Sequence, residues 1–329
     1  MRQTKEKTAP LPSVWATIAA GFDVTAKHFW LILIPVLLDS FLWLGPRLSI
    51  RLLIEQMADF WQQQSTAVTG LNVDALLSLA PRTNLFTSLS VPVVGVPALM
   101  VGLTPEKTPL STTLIELDSA VLVLALFVLF SVLGLLLTAV YMTLTASVVR
   151  QTPVRQALGT LLINWLRLVG LIVTLLIFAM MVYIPVVIVG VLAALISQGL
   201  ASLVLLAGPL LILWVAVYMI FAPHGIFVNG RPLGRAMIES LQMMRSFMLS
   251  AMTLLLFVIL IGRGVDMLLL YADDGSWLTG FGILGHAFVN TALLAATFIF
   301  YRDRYNVLFG VKRPLFAEPG SVGENGNVL

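Results

Sequence analysis

The chain has 329 residues, no cysteine and a net charge of +3; 59% of it is hydrophobic and only 11% charged. A soluble domain carries about 25% charged residues, so this chain is solvated largely by lipid, and nucleic acid is not an expected partner. Without cysteine there is no disulfide, no thiolate nucleophile and no zinc–cysteine site.

Residues 1–12 are polar and proline-containing and read as a tail. Arg2, Lys5 and Lys7 make a basic start, but Pro10 and Pro12 follow at once and the first apolar run begins only at Phe29, so no cleavable signal peptide is expected. Residues 13–28 form a first interfacial helix closing on Lys27 and His28. Span 1 is about 29–45, roughly 17 residues and near the lower limit for a membrane helix, with Pro35 and Asp39 inside it.

Residues 46–118 are the longest stretch between spans and are assigned as an extracytoplasmic insertion. Within it, 47–64 reads as an amphipathic helix, with Arg51, Glu55, Asp59 and Gln62 on one face and Leu53, Met57, Phe60 and Trp61 on the other. Residues 83–105 carry no charge but contain Pro92, Gly95, Pro97, Gly102 and Pro105, breakers that argue against a spanning helix. Irregular backbone facing lipid would leave its amides unpaired, so this segment is expected to be shielded by protein or to sit in the interface.

Span 2 falls in 119–149, 31 residues without a charge, and 150–167 is the second interfacial helix. From Leu168 to Gly230, 63 consecutive residues lack Asp, Glu, Lys and Arg, too many for one span and right for two. The break at Ser197-Gln198-Gly199 gives spans at about 168–192 and 200–222, and Pro223-His224-Gly225 with Asn229-Gly230 ends the run in turn chemistry. The third interfacial helix starts at Arg231, with Leu233, Met237, Leu241, Met244 and Met248 on one stripe and Arg231, Arg235, Glu239 and Gln242 on another. Span 5 is about 247–270, Asp273-Asp274-Gly275 is a turn, span 6 is about 277–301, and 306–329 is a polar tail.

The expected fold is therefore all-α: a polytopic bundle of six transmembrane helices with cytoplasmic interfacial helices, residues 13–305 forming one membrane domain. Fourteen Lys and Arg fall on the side of the termini and four (Arg47, Arg51, Arg82, Lys107) on the other, while Arg263 lies within span 5. The positive-inside rule then puts both termini in the cytoplasm of a bacterial inner membrane. Each interfacial helix is followed by a basic residue (Lys27, Arg167, Arg245) and two spans, a pattern of three helix-hairpin units in the same direction.

At Gly234-Arg235-Ala236, Glu239-Ser240-Leu241, Arg245 and Tyr301-Arg302-Asp303-Arg304, the chain resembles the bacterial membrane families grouped with the membrane domain of glycerophosphoryl diester phosphodiesterase. The resemblance covers about 150–305. It implies paired spans, each pair preceded by an amphipathic helix. Only 28 residues follow Tyr301, too few for the phosphodiesterase barrel of some members, so the resemblance implies no activity.

No nucleophile elbow, Walker loop, HExxH or metal-ligand cluster is present, so no catalytic residue, metal or cofactor is expected. Gly280-Phe281-Gly282-Ile283-Leu284-Gly285 matches GxGxxG, but it opens a membrane span with no strand before it and is not a dinucleotide site. Ala287, Thr291 and Ala295 make a small-residue stripe suited to close helix packing. Lys27, Arg155, Arg167, Arg235 and Arg245 are the candidate lipid-headgroup contacts. The sharpest signal is the intramembrane polar set Asp39, Arg263, Asp266, His286 and Asn290. All fall in the half of the membrane nearer the insertion, which suggests one cluster centred on Arg263, either as structural pairing or as a ligand or proton site. The function expected first is non-enzymatic: a scaffold, assembly or envelope-maintenance role, with lipids and a protein bound through 46–118 as partners. A carrier of a small or lipid-like molecule using the polar site is the alternative, and an intramembrane enzyme comes third.

Overall fold

The computed structural model describes residues 11–63, 77–78, 80–92, 94–101, 105, 107–269 and 275–310. Of the tails expected at 1–12 and 306–329, residues 1–10 and 311–329 lie outside them, as do Asp273 and Asp274 of the predicted turn, while 306–309 continue the last helix.

Helix α1 (Val14–Lys27) begins at Ser13, whose side chain accepts the amide of Ala16, the N-cap role for which serine is preferred. A 3-10 turn (Phe29–Ile32) leads into α2 (Leu33–Leu44), and the second arm leaves the first at 92°. At 12 residues, α2 is about 18 Å long, too short to cross a hydrocarbon core of ~30 Å by itself. Only together do the two arms reach the length and hydropathy of a crossing.

The insertion opens with β1 (Arg47–Ser49) and α3 (Arg51–Gln63) and closes with β2 (Leu114–Glu116). The expected helix therefore starts four residues late. Residues 47–49 are instead drawn into a parallel pair, Arg47 opposite Leu114, Leu48 opposite Ile115 and Ser49 opposite Glu116. Flanking bonds from Arg47 N–H to Thr113 O and from Leu117 N–H to Ser49 O, both 2.9 Å, extend the pair. The insertion thus leaves and re-enters the bundle at one stapled point. Its 83–105 segment contains only the 3-10 turns Leu85–Leu89 and Leu99–Val101 among the described residues. Val96, Leu99 and Met100 are buried against Leu38, Tyr141 and Ile283 of the bundle, so around these residues the irregular backbone is covered by protein, as its amides require. Gly134 permits the approach: a Cβ there would stand 2.4 Å from Leu89 O.

Beyond the insertion run α4 (Ala120–Val149), α5 (Val154–Leu158), α6 (Leu161–Ala194), α7 (Gln198–Met219), α8 (Ala222–Asn229), α9 (Leu233–Leu269) and α10 (Leu278–Phe309). Five helices, with α7 and α8 counted as one, are long and apolar enough to cross a membrane, or six if the bent α1–α2 pair is one span. The fold is the expected all-α polytopic bundle.

The junctions between interfacial segment and span differ from one another. The first is the right angle above. In the second, 150–167 is not one helix: α5 is five residues long, and α6 starts before Arg167, which lies inside it. In the third, α9 is continuous but kinked at Phe247 (φ −126°, ψ 27°), where span 5 was expected to begin. The turn expected at Pro223-His224-Gly225 is also displaced. Proline suits the first turn of a helix, and Pro223 sits in the first turn of α8. The chain breaks just before it, where Ser240 Oγ donates to Tyr218 O (2.7 Å) and accepts from the amide of Phe221 (3.2 Å). Gly230, at φ 62°, ends α8, a left-handed cap that glycine adopts without strain.

The core is built around α10. Ala287, Thr291, Ala292, Ala295 and Ala296 are all fully buried, so the small-residue stripe serves packing inside the fold. Tyr141 of α4 donates to Thr291 Oγ1 at 2.8 Å. On α1, Gly21 lies so close that a Cβ would stand 2.3 Å from Ala292 O. Helices α6 and α7 pack mainly on each other, Gly190 against Leu205 and Gly208 against Tyr183, and present apolar side chains such as Leu195 and Leu203 outward, as lipid-facing helices do.

Candidate functional site

The polar residues of the spans come together where α2, α9 and α10 approach the insertion. Asp39 is fully buried five residues before the end of α2. Its Oδ2 accepts the amide of Leu99 and its Oδ1 that of Met100, each at 2.9 Å. These amides open the 3-10 turn Leu99–Val101, so a carboxylate from one span caps an irregular segment that the bilayer itself could not satisfy.

His286 of α10 stands beside it, with Nδ1 3.5 Å from Asp39 Oδ2. On the other side of the ring, Nε2 is 3.3 Å from Asp266 Oδ1 of α9. His286 is 5% exposed at its side chain and Asp266 24%. Asn290 donates to the His286 carbonyl at 3.1 Å and lies against Gly262 of α9. The sequence put Arg263 at the centre, and here the structure differs. Arg263 reaches Asp266 only at 4.0 Å and is 82% exposed, on the outer face of α9 where a long cation can extend to the membrane surface. The bridging role falls to His286, because it is the only one of the five that α10 carries into the buried interior opposite both aspartates.

Chemically the set is an imidazole with a carboxylate at each nitrogen. The ring thus stands within ion-pair reach of both the half-buried Asp266 and the fully buried Asp39. It also holds three helices and the insertion in register.

A second network, at the opposite ends of the helices, was not foreseen. Glu239 of α9 is 5% exposed, and its Oε1 collects Arg231 Nε at 3.2 Å, Arg235 Nε at 3.1 Å and the Tyr305 hydroxyl at 3.3 Å. Arg231 also donates to the Tyr305 hydroxyl, and Asn229 to that of Tyr301 at 3.1 Å. His224 Nε2 lies 2.9 Å from Thr297 Oγ1, enclosed by Phe221, Phe298 and Tyr301. The signal was present in Tyr301 and Tyr305, four apart on α10, and in the lone acid among the arginines of 231–245. The sequence pattern places Arg231, Arg235 and Glu239 only on the polar stripe of an interfacial helix.

The five expected headgroup contacts divide. Arg167 donates to the Gly230 carbonyl at 2.9 Å and to Asn164 at 3.3 Å, closing the end of α8. Arg235 is engaged with Glu239. Lys27, Arg155 and Arg245 are exposed.

An all-α bundle with five to six apolar crossings defines a multi-pass membrane protein. Comparison with family models, with curated proteins and with solved structures finds no match for the chain.

Proposed function

We propose that this protein is a non-enzymatic scaffold or assembly component of a bacterial inner membrane, with an insertion that presents a fixed surface to a protein partner outside the cytoplasm. The observation that carries this is the docking of the insertion: two backbone amides held by the buried Asp39 carboxylate, with the two ends of the insertion paired as β1 and β2. On that anchored base, Met57 and Phe60 of α3 and Leu114 and Ile115 of β2 are exposed. Exposed apolar side chains on a rigid polar platform are what a partner interface offers. The orientation rests on the excess of Lys and Arg on the side of the termini, fourteen against four.

The Asp39–His286–Asp266 arrangement favours a second reading, a carrier of a small or lipid-like molecule, because it gathers polar side chains from three helices into one cluster. Purification from native membranes in mild detergent, with a photo-crosslinker at Phe60 or Ile115, separates the two. A stoichiometric protein crosslinked at these positions and lost in Phe60→Asp supports the scaffold. A bound solute with no protein partner overturns it in favour of the carrier.

A further inference from the structure

At the end of the bundle away from the insertion, α1, α4 and α10 enclose a cavity of about 640 Å³, within the ~300–1,000 Å³ of small-molecule sites. Its inner wall is apolar, made by Val24, Val148 and Ile299, while its rim carries the exposed Asp23 and Lys27 and the half-buried His28. Trp30 lies at the same edge and is 40% exposed. Tryptophan beside lysine and histidine is the composition of the headgroup layer, which sets the rim at the membrane surface and the wall toward the acyl region.

The charges available at the rim are specific. Arg302 also lines the cavity, but it is occupied: Nη1 donates to Val149 O at 2.8 Å, and Nε and Nη2 bind Asp303 at 2.9 and 2.8 Å. His28 Nδ1 is turned back onto Val24 O at 3.0 Å. Asp23 and Lys27 make no ion pair among the described residues, and they stand one turn apart on α1, leaving one carboxylate and one ammonium to meet a ligand. Two helices also end here, α1 at Lys27 and α4 at Val149, and the carbonyl ends of helices favour a positive group.

We propose that this cavity binds a phospholipid whose headgroup joins a phosphate to a primary ammonium group, as in phosphatidylethanolamine, whose N–H donors phosphatidylcholine lacks. The phosphate pairs with Lys27, the ammonium with Asp23 and the helix ends, and an acyl chain follows the apolar wall. The inference is independent of the scaffold reading, since it concerns the opposite face of the molecule.

The test uses the full chain, delipidated in detergent and placed in nanodiscs of phosphatidylcholine doped with either phosphatidylethanolamine or phosphatidylglycerol, with retained lipid read by native mass spectrometry. Phosphatidylethanolamine should be retained over phosphatidylglycerol by about tenfold or more, the equivalent of one charged contact. Lys27→Glu should lower retention of both lipids. Asp23→Asn should remove the preference while leaving phosphate-dependent retention. Val24→Trp, which fills the cavity without changing charge, should abolish retention, and an unchanged melting temperature confirms that it folds. Equal retention of the two lipids by the wild type, or retention unaffected by Lys27→Glu, overturns the proposal. Soluble glycerophosphoethanolamine serves as a competitor: displacement at the affinity of the whole lipid identifies a soluble ester as the occupant and overturns the lipid assignment, whereas weak displacement supports it.

Discussion

Replacing Asp39 with alanine removes both acceptors that hold the amides of Leu99 and Met100. Those amides lie in a segment whose side chains are themselves buried, Leu99 at 4% and Met100 at 2% exposure, so water does not simply take the place of the carboxylate. A buried donor left unsatisfied costs about 1–3 kcal/mol, and two of them about 2–6 kcal/mol. That free energy favours release of the 94–101 segment rather than unfolding of the bundle, because the helices keep their own hydrogen bonds. Hydrogen exchange resolved at Leu99 and Met100 should speed up by roughly 30-fold to 10⁴-fold, at about 1.4 kcal/mol per factor of ten. Exchange in the middle of α4 and α10 should barely change. Asp39→Asn should fall between, since one oxygen still accepts while the new NH₂ group faces the other amide as donor against donor. His286→Ala is the control: the amide bonds belong to Asp39, so 94–101 should stay protected. If Asp39→Ala leaves exchange at Leu99 and Met100 unchanged, the carboxylate is not what holds the insertion, and the argument for a clamped platform fails with it.

Gly21→Ala should destabilise the bundle by at least about 1–3 kcal/mol, the cost of overpacking, because the added Cβ would meet the Ala292 carbonyl at 2.3 Å; a melting temperature equal to the wild type's would mean that α1 can shift freely along α10. Glu239→Ala should lose about 1–3 kcal/mol, the lower part applying to the contact with the largely exposed Arg235, and Glu239→Gln should recover part of it. Thermal melts of the two variants check this, and two curves superposed on the wild type's would show that the Glu239 network carries no stability. Reporter fusions at Ser197 should mark the outside and those at Gln151 and Gly230 the cytoplasm; a cytoplasmic Ser197 would reverse the orientation drawn from the charge bias.

The membrane character of this protein, the apolar runs that build its long helices and the irregularity of the described part of 83–105 were legible in the sequence. Each follows from a local property: a run of uncharged residues long enough to cross lipid, or prolines and glycines too frequent to continue a helix. A helix rises by a constant ~1.5 Å per residue, so the position of each polar residue along its own helix was legible too. The direction in which each side chain points was not. That depends on how a helix is rotated against its neighbours, which is why Arg263 faces outward and His286 takes the bridging place. The same limit applies to β1, where pairing with residues far along the chain overrode a local helical pattern. It applies again to Pro223, whose role as breaker or first-turn residue is settled by the Ser240 hydroxyl of another helix. Local chemistry determined which segments are long and apolar enough to cross a membrane; only tertiary packing decided which of their polar groups meet, since contact between distant segments depends on rotation and register that no single segment encodes.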